Sequence, residues 1–195
     1  MKRKIGITGG IGSGKSIVGK ILSTMGYPVF YSDKEAKLLM DNDETIKQSL
    51  LELLGEKAYQ NNQLNKPFIA EKIFQDVALK QKVNQIVHPV VRAQFEKFTD
   101  NQESQLVFNE AAILFETGSY KNFDHFILVV ADNETRIKRV MNSDNLTREQ
   151  VIARMKNQWN DEQKSKLADF IIDNNDDKLV VPQVLAILKT LENPS

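Results

Sequence analysis

The residues with the most chemistry in the shortest span are Gly9-Gly10-Ile11-Gly12-Ser13-Gly14-Lys15-Ser16, a full match to G-x-x-x-x-G-K-[ST]. Glycines let a backbone curl until successive N–H groups point at one anion, and the N-terminus of a following helix adds its dipole. In such a phosphate-binding loop the lysine neutralises β- and γ-phosphates and the serine hydroxyl ligates Mg²⁺. Gly10, Ile11, Gly12, Ser13, Gly14, Lys15, Ser16 and Ile17 are therefore the candidate nucleotide cradle, with Lys15 as the catalytic cation and Ser16 as a metal ligand. With glycine near 7% of ordinary sequences, a chance match arises in roughly one chain of this length in a hundred, so the motif is informative. A dinucleotide G-x-G-x-x-G reading fails on spacing. Begun at Gly10 it puts Lys15 in the last glycine position, and begun at Gly12 it puts Ile17 there.

The loop requires a strand before it and a helix after it. Lys4 to Thr8 reads as a short apolar strand, and Val18, Ile21, Leu22 and Met25 recur at helical spacing, with Gly26 placed as a helix C-terminal glycine. A second strand, Val29 to Tyr31, runs into Ser32-Asp33-Lys34-Glu35, whose spacing predicts a capping box with Ser32 as the cap. Asp33 then sits at a strand-to-helix junction, where α/β proteins build their sites; an acid there also simply complements the helix dipole. From there to Asp100 the pattern is helical, with Ile46, Leu50, Leu53, Leu54 and Val83, Ile86, Val87 as apolar sets. Pro67 suits a helix start, and Pro89 is expected to break or kink a helix just after His88.

Three more strands are expected at Gln105 to Phe108, Phe126 to Ala131 and Phe170 to Ile172. Between the last two lies a charged helical segment carrying Arg136, Lys138, Arg139, Arg148, Arg154 and Lys156. Thr147 and Gln150 form a capping box that divides it into two helices. Pro182 is expected to open a last helix with Val184, Leu185, Leu188 and Leu191 on one face. The expected fold is α/β, with a five-stranded, mostly parallel sheet covered on both sides. Its core spans about 1–33, 104–133 and 167–195, with a helical insertion at about 34–103 and the basic segment at about 134–166.

Composition narrows the function classes. Hydrophobic residues are 41% and charged residues 27%, which describes a folded, soluble protein. Twenty-six basic residues balance 26 acidic ones, so the surplus of a nonspecific nucleic-acid binder is missing. There are no cysteines, which excludes disulfides, thiolate nucleophiles, zinc–thiolate sites and iron–sulfur clusters. The longest apolar run, Phe126 to Ala131, falls far short of the ~20 residues that span a bilayer. Lys2, Arg3 and Lys4 do not lead into a signal peptide. The expectation is a cytoplasmic protein with no nucleic-acid or membrane partner, working as a monomer or weak homo-oligomer.

A phosphate loop alone does not separate kinase from GTPase. A guanine-reading N-K-x-D is missing, since Asn65-Lys66 continues into Pro67-Phe68. A small chain with a helical insertion after its second strand and a late arginine-bearing segment looks like a small-molecule kinase, which needs positioning, charge neutralisation and a closing lid. Thr8 to Ser16, Asp33, His88-Pro89, Ile113-Leu114-Phe115-Glu116, Ala168-Asp169 and Ile172-Asp173-Asn174 occur in the order found in dephospho-CoA kinases. The chain resembles that family over nearly its whole length.

The resemblance implies a P-loop nucleotide-kinase-like three-layer fold with a CoA-binding helical insertion and a lid. It implies phosphorylation of the ribose 3′-hydroxyl of dephospho-CoA by ATP with Mg²⁺, the last step of coenzyme A biosynthesis. On the matching positions Asp33 is the general base, and His88 and Glu116 are acceptor residues; Arg92, one helical turn after His88, is placed to reach the same substrate's phosphates or else is a solvated helix charge. Glu110 is a Walker-B-type metal acid, Arg139 a lid arginine on the transferring phosphates, and Asn174 and Asn175 an adenine-side loop. The chain departs from the family pattern at Tyr31, Glu110, Ala112, Ser143 and Asp176. Two other readings stay open: a P-loop kinase for a nucleoside, nucleotide or shikimate-like acceptor, and a regulator that hydrolyses ATP slowly.

Overall fold

The structure, a computed structural model, describes residues 2–116 and 118–193. In chain order its first elements are β1 (Arg3–Thr8), α1 (Lys15–Thr24), β2 (Val29–Tyr31), α2 (Ser32–Asn42), α3 (Glu44–Leu54), β3 (Tyr59–Gln60), β4 (Gln63–Leu64) and α4 (Lys66–Gln75). There follow α5 (Val77–Asp100), β5 (Leu106–Glu110), β6 (His125–Val130), α6 (Asn133–Asp144), α7 (Arg148–Met155), α8 (Asp161–Ser165), β7 (Phe170–Asp173) and α9 (Val180–Glu192). The chain divides into two compact units, Met1–Phe30 with Gln102–Ser195, and Tyr31–Asn101.

The first unit is built on a five-stranded sheet of order β2-β5-β1-β6-β7. β1 pairs in parallel with β5 and with β6, and β6 pairs in parallel with β7, placing Ile5 beside both Phe108 and His125. Strands buried on both faces read as continuous apolar runs, and β5 is buried at every position. One face presents Ile5, Ile7, Phe108, Ile127, Val129 and Ile172 to Val18 and Leu22 of α1 and to Val184, Ile187, Leu188 and Leu191 of α9. Phe126 points the other way and packs on Ala111, Leu114 and Phe115. With β5 on one side of β1 and β6 on the other, the loop leaving β1 sits where the connections diverge, the usual ligand crevice of such sheets.

Several expectations about this unit need correction. The buried face of α9 uses Ile187, at 8% exposure, whereas Leu185 stands 52% exposed. Val184, Ile187, Leu188 and Leu191 follow the i, i+3, i+4, i+7 rhythm more closely than the expected set. That helix begins at Val180, two residues ahead of Pro182. The basic segment holds three helices, and α7 does begin with the Thr147–Gln150 capping box. Asn160 and Gln163 form a second box at α8, which explains the extra break.

The second unit packs α2 on α5, with α3 and α4 also against α5. Its buried side chains include Ile46, Leu50, Tyr59, Ile69, Val83, Val87, Val91 and Phe95. α5 runs unbroken from Val77 to Asp100 through Pro89. The residue whose carbonyl Pro89 leaves without a partner is Gln85, and both are exposed, so water replaces the lost bond. The expected box at Ser32 is not formed, because Ser32 is itself the first helical residue and Tyr31 holds the cap position. The helical pattern is also interrupted by a β3–β4 hairpin. Asn61 and Asn62 turn it with φ of 50° and 65°, the left-handed pair that a two-residue hairpin favours.

Candidate active site

Between the end of β1 at Thr8 and the start of α1 at Lys15, the chain forms the expected loop. Gly12 has φ 77° and Gly14 φ 92°, left-handed values that a side chain resists. A Cβ on Gly14 would lie 2.0 Å from Asn174 Nδ2. The Ser13 N–H donates to Gly10 O at 3.0 Å, and the Asn174 amide donates to Ser13 O at 2.7 Å, so the cradle is held from within and from beneath. Gly14 is the N-cap of α1 and no side chain caps that helix, so its dipole and first N–H groups face the loop.

Lys15 is the first residue of α1, and its Nζ lies 3.7 Å from Glu110 Oε1 at the end of β5. Glu110 is 4% exposed. The ion pair sets the Lys15 side chain beside a buried acid at the mouth of the loop. Ser16 and Ile17 follow in the first exposed turn, with the Ile17 N–H directed at Gly14 O at 2.9 Å. The Ser16 hydroxyl and Glu110 carboxylate are hard oxygen donors of the kind Mg²⁺ takes. Among the described residues no group of three or more His, Asp or Glu side chains could hold a metal alone.

The turn after β7 braces this loop. Asn174 is 6% exposed and spends its amide nitrogen on Ser13 O. Asn175 donates to Asp173 Oδ1 at 2.8 Å and accepts from the Asp132 N–H at 2.9 Å. Arg139 Nη2 donates to Asn174 O at 2.9 Å and to Asp176 Oδ1 at 2.7 Å. The departure at Asp176 thereby gives Arg139 its ion partner. Ser143, where a second lid arginine is expected, bonds Val140 O and Asp144 Oδ1. Arg148 is engaged by both oxygens of Glu134, and Arg154 by Asp144.

Glu116 lies in the same unit, and its Oε1 accepts from Lys164 Nζ at 2.9 Å and from the Trp159 N–H at 3.1 Å. Lys164 is fully buried at 0% exposure. The Thr8 hydroxyl donates to Ala112 O at 3.4 Å. The Phe126 N–H donates to Asp169 Oδ2 at 2.7 Å, so that acid secures the start of β6.

The second unit gathers Asp33, His88 and Arg92. Asp33 is in the exposed first turn of α2, and His88 and Arg92 stand one turn apart on α5. Burial, the first cause, and then the Arg92 charge push the His88 imidazolium below its usual range, while Asp33 acts against them. The imidazole is therefore neutral at pH 7, with one donor and one acceptor nitrogen.

Within the first unit the structure brings Lys15, Ser16, Glu110, Asn174, Asn175 and Arg139 around one loop. Within the second it brings Asp33, His88 and Arg92 together. Sequence reasoning missed Gln158 and Lys164 and gave Arg136 no role of its own. No short-range signal marks them, because each sits in a polar stretch that reads as solvated.

The Dephospho-CoA kinase family model matches residues 3–179. A dephospho-CoA kinase of Bacteroides fragilis is 38% identical over 192 residues, 98% of this chain and 94% of its own length. One from Porphyromonas gingivalis is 40% identical over 188 residues, covering 96% and 93%. A solved structure of a Thermus thermophilus protein superposes with a TM-score of 0.84 at 34% identity, over 98% of this chain and 96% of that one. The loop, its acidic partner and these near full-length matches agree: the chain belongs to the dephospho-CoA kinase family.

Proposed function

We propose that this chain transfers the γ-phosphoryl group of ATP to the ribose 3′-hydroxyl of dephospho-CoA, giving ADP and CoA. The observation that carries the reading is the cradle itself. Left-handed glycines at positions 12 and 14 turn a helix N-terminus and Lys15 toward one point, beside a buried acid. The N–H groups of the loop and the Lys15 ammonium hold the nucleotide phosphates. Lys15 also meets the charge that develops on the bridging oxygen as the P–O bond to ADP breaks. Ser16 and Glu110 would hold Mg²⁺, which when bound would neutralise phosphate charge.

Asp33 orients the acceptor hydroxyl and accepts its proton as the new O–P bond forms. His88, neutral at pH 7, hydrogen-bonds the acceptor, and the Arg92 guanidinium faces its phosphates. Glu116 serves the acceptor, and its buried Oε2 has no hydrogen-bond partner among the described residues. Arg139 acts on the transferring phosphates, and its Nη1 likewise has no hydrogen-bond partner among the described residues. The 173–175 turn carries the adenine side. The helical unit is the acceptor-binding part, and 134–166 acts as the lid. Among the described residues no helix is long and apolar enough to cross a membrane. We place the enzyme in the cytoplasm, as a monomer or weak homo-oligomer.

The role of Asp33 is tested by Asp33→Asn. ATP affinity should stay at the wild-type value while kcat falls by about 10²-fold or more, the scale of a lost general base. Wild-type turnover in that variant would remove Asp33 from the mechanism.

A further inference from the structure

Ile11, at the crest of the phosphate loop, is gripped on three sides by the segment between α6 and α8. Its N–H donates to Gln158 Oε1 at 2.8 Å, and its carbonyl accepts from Arg136 Nε at 2.9 Å. Its side chain packs on the cluster of Ile137, Val140 and Val151. The two peptide planes that flank Ile11 are thus oriented by side chains far away in sequence. The first plane, Gly10–Ile11, is fixed at both ends. Gly10 O takes the Ser13 N–H at 3.0 Å, and the Ile11 N–H is turned outward to Gln158. A flip of that plane would break the Gly10–Ser13 turn and bring a different set of backbone dipoles to the cradle.

Both gripping residues are themselves held. Arg136 is 6% exposed and its Nη1 meets Asp161 Oδ2 at 3.3 Å. It lies so close over the loop that a Cβ on Gly10 would come within 1.9 Å of Nη2. The residue after Gln158 donates its N–H to Glu116 Oε1, which the buried Lys164 also binds. The stretch 158–164 is therefore riveted to the segment after β5 as well as to the crest.

We propose that Gln158 is a positioning residue for the nucleotide: by holding the Ile11 N–H out of the cradle, it fixes the peptide-plane pattern that the phosphates of ATP read. Arg136 fixes the second plane, and the Lys164–Glu116 pair anchors the turn that presents Gln158. This rests on the reading of the loop as the ATP site. Gln158 touches no reacting atom, so its effect falls on ATP and not on the acceptor.

The test compares wild type, Gln158→Met and Gln158→Glu, with ATP affinity read on the uncharged Met variant and backbone protection read on both without nucleotide. Met keeps the length and removes the acceptor; Glu keeps an acceptor oxygen. Gln158 is half-buried in a turn, and each variant should melt as wild type does. Losing one such bond predicts that Gln158→Met weakens ATP about tenfold in Kd and in KM, with the acceptor KM unchanged. Hydrogen exchange at the Ile11 amide of the nucleotide-free protein should rise in the same variant, and Gln158→Glu, which keeps the acceptor, should restore that protection. Wild-type ATP affinity in Gln158→Met, or Ile11 amide exchange in Gln158→Glu as fast as in Gln158→Met, overturns the proposal. Absence of ATP binding by the wild-type enzyme overturns the reading beneath it, which separates the two failures.

Discussion

Asn174→Ala tests whether the turn after β7 supports the phosphate loop. The Asn174 amide donates to Ser13 O at 2.7 Å across 161 residues of sequence, in a site where Asn174 is 6% and Ser13 0% exposed. Truncation leaves a buried carbonyl without that donor, a loss of about 1–3 kcal/mol. In a chain of this size one kcal/mol moves Tm by about 2–4 °C, so a midpoint loss of ~2 kcal/mol lowers Tm by about 4–8 °C. Asn174→Asp is the sharper change. It keeps the shape and replaces the donor with a carboxylate oxygen facing the Ser13 carbonyl, so two acceptors oppose each other. It also puts negative charge beneath the phosphate cradle. Melting curves followed by circular dichroism, with and without ATP, should rank wild type above Asn174→Ala above Asn174→Asp, with ATP stabilising the last least. If the Asp and Ala variants melt together within about 1 °C of wild type, the bond does not hold the loop.

Lys15→Ala should lose most activity and also lower Tm, since it removes the ion partner 3.7 Å from the buried Glu110 carboxylate; retained turnover would contradict its phosphate role. Gly12→Ala must adopt φ 77° and put Cβ 2.5 Å from Arg136 O; the dihedral alone costs about 1–2 kcal/mol, so both Tm and ATP affinity should fall. His88 titrates below its unfolded value of 6.5, so below that pH the unfolded chain binds the extra proton. Its contribution to stability is complete above pH 6.5 and lost as pH falls through the lowered native value. Urea unfolding at pH 7.5 and 5.5 should show a smaller loss in His88→Gln than in wild type; an equal or larger loss reverses the sign.

Much of the core was legible because its signals are local. A phosphate loop bounded by a strand and a helix is written in eleven or so adjacent residues, and buried parallel strands are continuous apolar runs. The errors came where tertiary context overrode local preference. Pro89 sits inside a helix because its orphaned carbonyl partner, Gln85, faces water. Ser32 does not cap α2 because the helix starts one residue earlier than its spacing suggests. The β3–β4 hairpin hides in two asparagines at left-handed φ within an otherwise helical stretch. Lys164 could not be recognised as buried, since a lysine enters the interior only when a partner such as Glu116, distant in sequence, neutralises it. Arg136 and Gln158 act on the backbone of Ile11, and side-chain-to-backbone bonds across the fold leave no pattern in composition or periodicity.

ADP release from Mg·ATP, measured with and without dephospho-CoA and with the product weighed by mass spectrometry, tests the central claim most directly. The account predicts strong stimulation by dephospho-CoA and a product heavier by one phosphoryl group, carried on the ribose 3′-hydroxyl. ATP binding with no stimulation and no mass gain would contradict it.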